Sequence, residues 1–164
     1  MIVRTLSNLE YQLNRIVRSI LLGISAFALL SCFASRGDAR AISVCEQTIE
    51  YHLFPPVADV PPAIRPFSGV WVGEWDQQQC IVLIVEEIAK DGTAFIKYLW
   101  GRSLYRGMGT PDISQWSGKI DKGVLRLRDH TNAVKAEFQI INSDELEGTY
   151  WKGAQAYRGK FVRH

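Results

Sequence analysis

Large aromatic side chains are the residues of this sequence whose types and spacing best suggest a binding site. They recur at every second position within short apolar segments, and in a β-strand such positions share one face. An indole or phenol ring offers a wide apolar surface together with one polar N–H or O–H group. The sequence therefore predicts a cup that holds an apolar or planar small molecule. The candidate lining residues are Trp71, Trp75, Tyr98, Trp100, Trp116, Phe138 and Tyr150.

Two arginines extend this candidate site toward an acidic ligand group. Arg102 and Arg106 lie in the glycine-rich segment 101–112, the longest predicted loop after the first predicted strand. Guanidinium groups pair with carboxylates and phosphates, and long loops often carry functional residues. The stretch "GMGTP" is followed by neither a helix nor a Lys-Ser or Lys-Thr pair, so it is not a phosphate-binding loop. A solvated loop without a ligand is the alternative interpretation.

Residue patterns for catalysis or metal binding do not emerge from the sequence. Glu86 and Glu87 are adjacent, so in a strand they face opposite sides and form a poor acid–base pair. Asp129 and His130 have no serine or cysteine nucleophile nearby in the sequence. The three histidines are scattered without the spacing of metal ligands. We therefore expect a protein that is not an enzyme and that uses no metal or cofactor.

Eight short apolar segments must position these side chains. The predicted strands span 68–75, 80–88, 93–100, 114–120, 124–128, 133–141, 146–151 and 156–162. Mostly short turns join them, so consecutive strands are expected to be antiparallel neighbours. Such strands lose their exposed edges by closing into a barrel, whose interior holds side chains or one small ligand. We therefore expect an all-β, up-and-down barrel of about eight strands. Its aromatic rings could equally form a packed core without a cavity.

The first predicted strand, "GVWVGEW", carries a recognisable motif. Glycine and tryptophan alternate from Gly69 to Trp75, so small and large side chains share one face and the glycines permit sharp bends. This strand resembles that of the lipocalin and wider calycin group, whose G-x-W motif lies at the closed end of an up-and-down barrel. "GVW", residues 69–71, matches that motif. The resemblance implies a calycin-like β-barrel domain over residues 67–164.

The first 41 residues have the order of features found in a secretory signal peptide. Two arginines precede the apolar run 19–35, and a small-residue site of the A-x-A type ends at Ala41. We expect cleavage after Ala41 and export of the remainder to the periplasm or beyond the cell. Two alternatives stay open: the apolar run remains as a membrane anchor, or "LLSC" resembles a bacterial lipobox in which Cys32 is acylated.

Export would place Cys45 and Cys80 in an oxidising compartment, where two thiols typically form a disulfide. Two free thiols are the alternative. This bond would tie an N-terminal extension, residues 42–66, to the second predicted strand. Residues 45–53 favour either a helical turn or a short strand. Residues 55–66 hold five of the six prolines, which predicts an extended, polyproline-II-like tether or strap outside the sheet.

Charge and architecture limit the expected partners. The net charge of +2 divides into +3 for residues 1–41 and −1 for the remainder, so a nucleic-acid partner is not expected. Exported eight-stranded barrels with an N-terminal extension and one disulfide resemble the bacterial inhibitors of secreted metalloproteases. In that family the extension enters the protease cleft. The second hypothesis is therefore a monomeric barrel that contacts an envelope protein through its rim or its N-terminal arm.

Overall fold

The structure is a computed structural model and describes residues 38–76, 79–102, 111–128, 131 and 133–164. The apolar run of the predicted signal peptide, the lipobox cysteine Cys32 and the loop arginine Arg106 lie outside these ranges. The predicted cleavage position, Ala41, lies within the first strand. The described residues all belong to the unit Arg36–His164 of the chain.

Ten β-strands account for most of the described residues. They are β1 (Asp38–Val44), β2 (Gln47–Leu53), β3 (Gly69–Trp75), β4 (Gln79–Ile88), β5 (Thr93–Trp100), β6 (Asp112–Asp121), β7 (Val124–Arg128), β8 (Val134–Asn142), β9 (Glu145–Lys152) and β10 (Gln155–Arg163). Strands β3 to β10 form a closed barrel in which β10 pairs with both β3 and β9, and all its neighbouring strands are antiparallel. The predicted eight-stranded up-and-down barrel is confirmed, with strand ends that differ from prediction by at most two residues.

Alternation along the strands decides what fills the barrel. The side chains at alternate positions, from Trp71 on β3 to Phe161 on β10, meet in one continuous apolar cluster inside the barrel. Each buried Val, Leu, Ile or Phe side chain stabilises the folded state by about 1.5–3 kcal/mol. Gly73 faces inward where β3 and β10 approach closely, because a Cβ atom there would collide with the Lys160 carbonyl oxygen.

The hairpin formed by β1 and β2 covers the outside of the barrel. Its two-residue turn is formed by Cys45 and Glu46, which have φ values of 53° and 62° and match a tight hairpin turn. Residues 45–53, which the sequence left open between helix and strand, are therefore this turn and β2. The buried side chains of the second apolar cluster are Ile42, Ile49, Tyr51, Val70, Val82, Ile84 and Leu99. This cover explains why β4 is apolar on both faces.

Glu86 and Lys97 fasten the outer edge of this hairpin to the barrel. The Glu86 carboxylate accepts a hydrogen bond from the His52 backbone N–H at 2.9 Å and pairs with Lys97 at 3.2 Å. Lys97 also donates to the Glu50 carbonyl at 2.8 Å. Because both charged side chains are mostly buried, with exposed fractions of 16% and 18%, their mutual pairing avoids an uncompensated buried charge. Glu86 therefore serves as a structural contact of β2.

The proline-rich segment seals one end of the barrel, which we call the closed end. Val60 and Phe67 are buried in the main core, with exposed fractions of 0% and 1%, and Ile64 lies beside them. Residues 58–59 and 62–64 form turns, and Arg65–Phe67 form a 3₁₀ helix. The segment lies outside the sheet as predicted, but it is not the continuous extended strap that its prolines suggested. Burial of three apolar side chains outweighs the local preference of proline here.

Arg163 at the end of β10 binds this seal to the barrel. Its guanidinium donates to the carbonyl oxygens of Ser68, Pro66 and Ser143 at 2.7–2.9 Å. The guanidinium carbon also lies 4.0 Å from the centre of the Trp71 ring, in the range of a cation–π contact. The fully buried Trp71 donates its indole N–H to the Phe67 carbonyl at 2.9 Å. These contacts join the first strand, the last strand and the proline-rich segment at the closed end.

The predicted disulfide between Cys45 and Cys80 is present, with a Cα–Cα distance of 5.7 Å. It joins the tip of the β1–β2 hairpin to the start of β4. Both cysteines lie against Gly101, since a Cβ atom on that glycine would be 2.9 Å from the Cys45 Cβ and 3.3 Å from the Cys80 Cβ. The bond therefore fixes the hairpin beside the end of β5, near the rim opposite the closed end.

Replacing both cysteines, Cys45→Ala with Cys80→Ala, is expected to lower the free energy of unfolding by about 3–4 kcal/mol. The reason is that the bond closes a loop between residues 35 positions apart, which restricts the unfolded chain. Urea unfolding followed by tryptophan fluorescence measures the effect. Reductant should lower the wild-type stability to that of the double variant and leave the variant unchanged. A difference below about 1 kcal/mol would contradict a stabilising role.

Candidate functional site

The end of the barrel opposite the seal, which we call the open end, contains a cup lined mainly by aromatic rings. Here β3 and β5 end and β4 and β6 begin. The cup has a volume of about 210 Å³. The described residues that line it are Trp75, Gln79, Tyr98, Trp100, Trp116, Tyr150 and Lys152. The rest of the barrel interior below the cup is filled by the apolar core.

The floor of the cup is the indole of Trp75, which is only 2% exposed. On its lower side it packs edge-on against Phe161, with ring centres 5.0 Å apart, and against Phe138 at 5.9 Å. On the cup side it stacks against Tyr150 at 6.0 Å. Gly148 makes room for this ring, because a Cβ atom there would lie 2.9 Å from the indole. The floor is therefore held in place by packing from several strands.

Tyr98 is the polar centre of the cup. Its hydroxyl oxygen accepts a hydrogen bond from the Trp75 indole N–H at 2.9 Å. Burial raises the pKa of Tyr98 well above the ordinary value for tyrosine, and the hydrogen bond from Trp75 opposes this only in part. The phenol is therefore neutral at physiological pH. Among the described residues no acceptor is paired with its hydroxyl hydrogen, which leaves that hydrogen available to a ligand.

The walls of the cup are rings held by neighbouring strands. The Tyr98 ring lies 6.1 Å from both Trp100 and Trp116, within the usual range of aromatic pairs. Trp116 donates its indole N–H to the Ser114 hydroxyl on the same strand. On the opposite wall Tyr150 stacks against Tyr157 at 6.2 Å. Because each ring touches another ring or a polar partner, the cup is largely formed before any ligand enters.

The structure brings together five of the nine ligand-binding candidates. These five are Trp75, Tyr98, Trp100, Trp116 and Tyr150. Trp71 points inward as predicted but lies at the closed end beneath Arg163. Phe138 is fully buried under the Trp75 ring. Alternation identifies the face of a strand but not the depth along the barrel axis, so it could not separate these two from the cup.

Of the two arginine candidates, only Arg102 lies within the described residues. Arg102 is exposed and follows Trp100 by two residues at the open end. It is not among the residues that line the cup. Arg106 lies outside the described residues. The proposed role of both in binding an acidic ligand group stays a prediction.

Gln79 and Lys152 are lining residues that the sequence reasoning missed. Both lie one strand position beyond a predicted strand end, and each continues an inward series: Gln79 precedes Ile81, and Lys152 follows Tyr150. Extending the alternation beyond the apolar residues would have identified both. Gln79 is 7% exposed, whereas Lys152 lies exposed at the mouth.

Other parts of the described surface offer less specific sites. A wider depression on the outside of β8, β9 and β10 is lined by charges of both signs, including Glu137, Glu147 and Lys160. Across the described ranges, no group of three or more His, Cys, Asp or Glu side chains is placed to hold a metal ion. None of the helices described is long and apolar enough to cross a bilayer. The cup is therefore the candidate site.

Comparisons with known proteins add little to this description. No family model matches the sequence, and no curated protein matches it. Three solved protein chains match. One of them is described as "De novo design of a fluorescence-activating beta barrel"; it is 14% identical, with a TM-score of 0.44, over 64% of this chain and 100% of that chain. The function has to be deduced from the residues of the cup.

The substitution Gly148→Ala is expected to lower the free energy of unfolding by about 1–3 kcal/mol and to shift the Trp75 indole N–H signal in NMR spectra. The added methyl group would crowd Phe138, Phe161 and Trp75, each 2.9 Å away, and such overpacking is costly. Gly153→Ala is the control for the NMR shift alone, because no atom lies within 4 Å of its Cβ position; its φ of 63° makes alanine costly for stability there too. An unmoved Trp75 signal in Gly148→Ala would contradict the packing described for the floor.

The substitution Tyr98→Phe is expected to change how stability depends on pH. Above pH 10 the unfolded chain loses a tyrosine proton that the folded chain retains on Tyr98, because burial raises the pKa of that hydroxyl. The wild-type free energy of unfolding should therefore fall as pH rises above 10, by up to about 1.4 kcal/mol per pH unit from this group. The variant Tyr98→Phe lacks this ionisable group, so its free energy of unfolding should fall less steeply above pH 10.

Urea unfolding at pH 7.5 and pH 11 tests this expectation. At pH 7.5 Tyr98→Phe should be less stable by about 1–3 kcal/mol, because the buried Trp75 N–H loses its acceptor. The gap between the two proteins should narrow at pH 11. The other five tyrosines are common to both proteins and cancel in the comparison. Parallel losses of stability would show that Tyr98 ionises normally in the folded state.

Proposed function

We propose that this protein is a non-catalytic binding protein that holds one small aromatic or planar apolar ligand in the cup at the open end. The observation that carries this proposal is the cavity of about 210 Å³ lined by five aromatic rings above a filled core. A barrel packed throughout would leave no such space. The rings instead surround an opening, with apolar faces and a few polar groups, as is typical of small-molecule sites.

The size of the cup limits the ligand. A volume of about 210 Å³ corresponds to roughly seven water molecules at liquid density. It is below the usual range for drug-sized ligands, about 300–1,000 Å³. A single six-membered ring with a short substituent fits this space, whereas a long acyl chain or a multi-ring molecule would extend through the mouth. The proposed ligand therefore inserts one ring.

The rigidity of the cup supports a binding role. Its rings project from barrel strands, and its floor is fixed by Phe138 and Phe161 below it. Binding to a preformed site loses little conformational entropy. The Tyr98 hydroxyl and the Gln79 amide supply polar groups that orient a ligand without replacing the apolar contacts.

Export is part of the proposal. The disulfide between Cys45 and Cys80 is consistent with an oxidising compartment outside the cytoplasm. Residues 38–41 are exposed, and Ile42 is the first buried residue of β1. Of the described residues, cleavage after Ala41 would therefore remove none with a buried side chain. The G-x-W strand, with Trp71 at the closed end, supports a calycin-type barrel, which we propose acts as a monomer.

The N-terminal arm gives less support to a protease-inhibitor-like function. An arm that enters a cleft must be free, but residues 42–66 are packed on the barrel. Ile42 and Ile49 of the hairpin are buried against the barrel, and Val60 is buried in the seal. Contact with an envelope protein would then use the rim, where the cup lies. The ligand cup is therefore the favoured function.

Titration with benzamide, a neutral single-ring probe, tests the proposal. In ¹⁵N-labelled protein the indole N–H signals of Trp75, Trp100 and Trp116 should shift as benzamide enters the cup. The signals of Trp71 and Trp151 should stay in place, because Trp71 lies at the closed end and Trp151 points away from the core. The protein thus contains its own control signals. No shift up to the solubility limit of benzamide would refute a cup for neutral rings.

The substitution Trp116→Ala is expected to weaken benzamide binding by about two- to tenfold, since one aromatic contact contributes about 0.5–1.5 kcal/mol. Trp151→Ala is the matched control and should leave the affinity unchanged. The dissociation constant from the Trp75 signal measures both variants. Equal weakening by the two substitutions would place the binding site outside the cup.

A further inference from the structure

Lys152 places a positive charge at the mouth of a cup whose other described lining residues are uncharged. It is the only charged side chain among the described residues that line the cup. Neither a carboxylate nor a histidine is present in this described lining. An ammonium group at an aromatic mouth therefore has an unmatched positive charge facing the ligand.

Three other described lysines differ from Lys152 in being already paired with acidic side chains. Lys97, Lys119 and Lys160 lie within 3.0–3.4 Å of carboxylates. Within the described part of the chain, Lys152 forms no ion pair. Its ammonium group can therefore bind an incoming anion without breaking an existing contact. Exposure at the mouth also keeps the cost of desolvation small.

Uncharged polar groups inside the cup are suited to the same ligand. The Tyr98 hydroxyl accepts from the Trp75 indole and has its own hydrogen to donate. The Gln79 side chain, 7% exposed, offers two N–H donors and one carbonyl acceptor. Both groups can hydrogen-bond to a polar substituent on the ring of the ligand, while the anionic group of the ligand stays at the mouth.

We infer that the ligand of the cup is an aromatic anion, with its ring against Trp75 and its carboxylate or equivalent group at the mouth near Lys152. This inference rests on the proposed function and specifies the class of ligand. The ring is desolvated among aromatic side chains, whereas the charge stays near water. Such a division avoids the large penalty of burying an ion. Arg102, exposed at the same end, adds a second positive charge to the rim.

A cationic ligand is the competing class, because aromatic cages also bind ammonium groups through cation–π contacts. Lys152 opposes that class by direct repulsion. The described lining also provides no carboxylate to neutralise a bound cation. The charges of the described lining residues therefore favour an anion, and preferential binding of a cation is one outcome of the experiment.

Three probes of similar shape separate these classes: benzoate, benzamide and benzylammonium. Their dissociation constants are measured from the Trp75, Trp100 and Trp116 indole N–H signals in low salt. Benzoate is expected to bind about two- to fivefold more tightly than benzamide, the range for one exposed ion pair, and benzylammonium more weakly than both. Raising the salt concentration to 0.5 M should reduce the preference for benzoate.

The substitution Lys152→Gln should remove the preference for benzoate over benzamide, measured as the ratio of the two dissociation constants. Lys152→Arg should retain the preference, because it keeps the charge. Lys90→Gln is the matched control, since Lys90 is exposed in a turn between β4 and β5 at the closed end. An unchanged Trp71 signal, from the closed end, shows in each variant that the barrel is folded.

Each outcome has a distinct meaning. If benzamide binds in the cup but benzoate binds no better, or if Lys152→Gln keeps the preference, the anion inference is wrong and the proposed function survives. Tighter binding of benzylammonium than benzoate also overturns the inference. If none of the three probes shifts the cup signals, both the inference and the proposed function fail.

Discussion

The packing of the Trp75 indole is the constraint on which the barrel and its cup both depend. This ring packs against Phe138 and Phe161 in the core and against Tyr150 in the cup. Its N–H is bonded to Tyr98, so the ring cannot rotate without leaving a buried donor unpaired. A displacement in either direction would open a void in the core or fill the cup. The Trp75 side chain is therefore both part of the apolar core and the floor of the cup.

The two ends of the barrel differ in whether the apolar interior is covered: one end is sealed and the other is open. An eight-stranded barrel is open at both ends, and its innermost apolar groups must be covered or left to bind something. At the closed end, Val60 and Phe67 enter the interior and Arg163 holds their segment by hydrogen bonds to carbonyl oxygens. At the open end the described residues form a ring of aromatic side chains with polar groups among them. Sealing one end allows the other to remain a site.

The outer layer shows how a short barrel gains stability without filling its cup. The β1–β2 hairpin buries the outward faces of β3, β4 and β5, which adds a second apolar cluster beside the interior one. Burial on the outside replaces contacts that a completely filled interior would have supplied. The disulfide holds the hairpin tip close to Gly101, next to the strand that carries Tyr98 and Trp100. The walls of the cup are therefore supported from behind.

The sequence alone determined the barrel, because alternation with a period of two and short turns are local properties. It placed all eight barrel strands, the inward face of six of them and the disulfide partners. It did not indicate that residues 38–53 cover β4 from outside as a hairpin. Only the tertiary structure decided how far along the axis each ring lies. For that reason Trp71 and Phe138 could not be separated from the cup, and Gln79 and Lys152 were missed. Depth depends on the stagger between neighbouring strands and on what seals the ends, which are contacts between residues far apart in the chain.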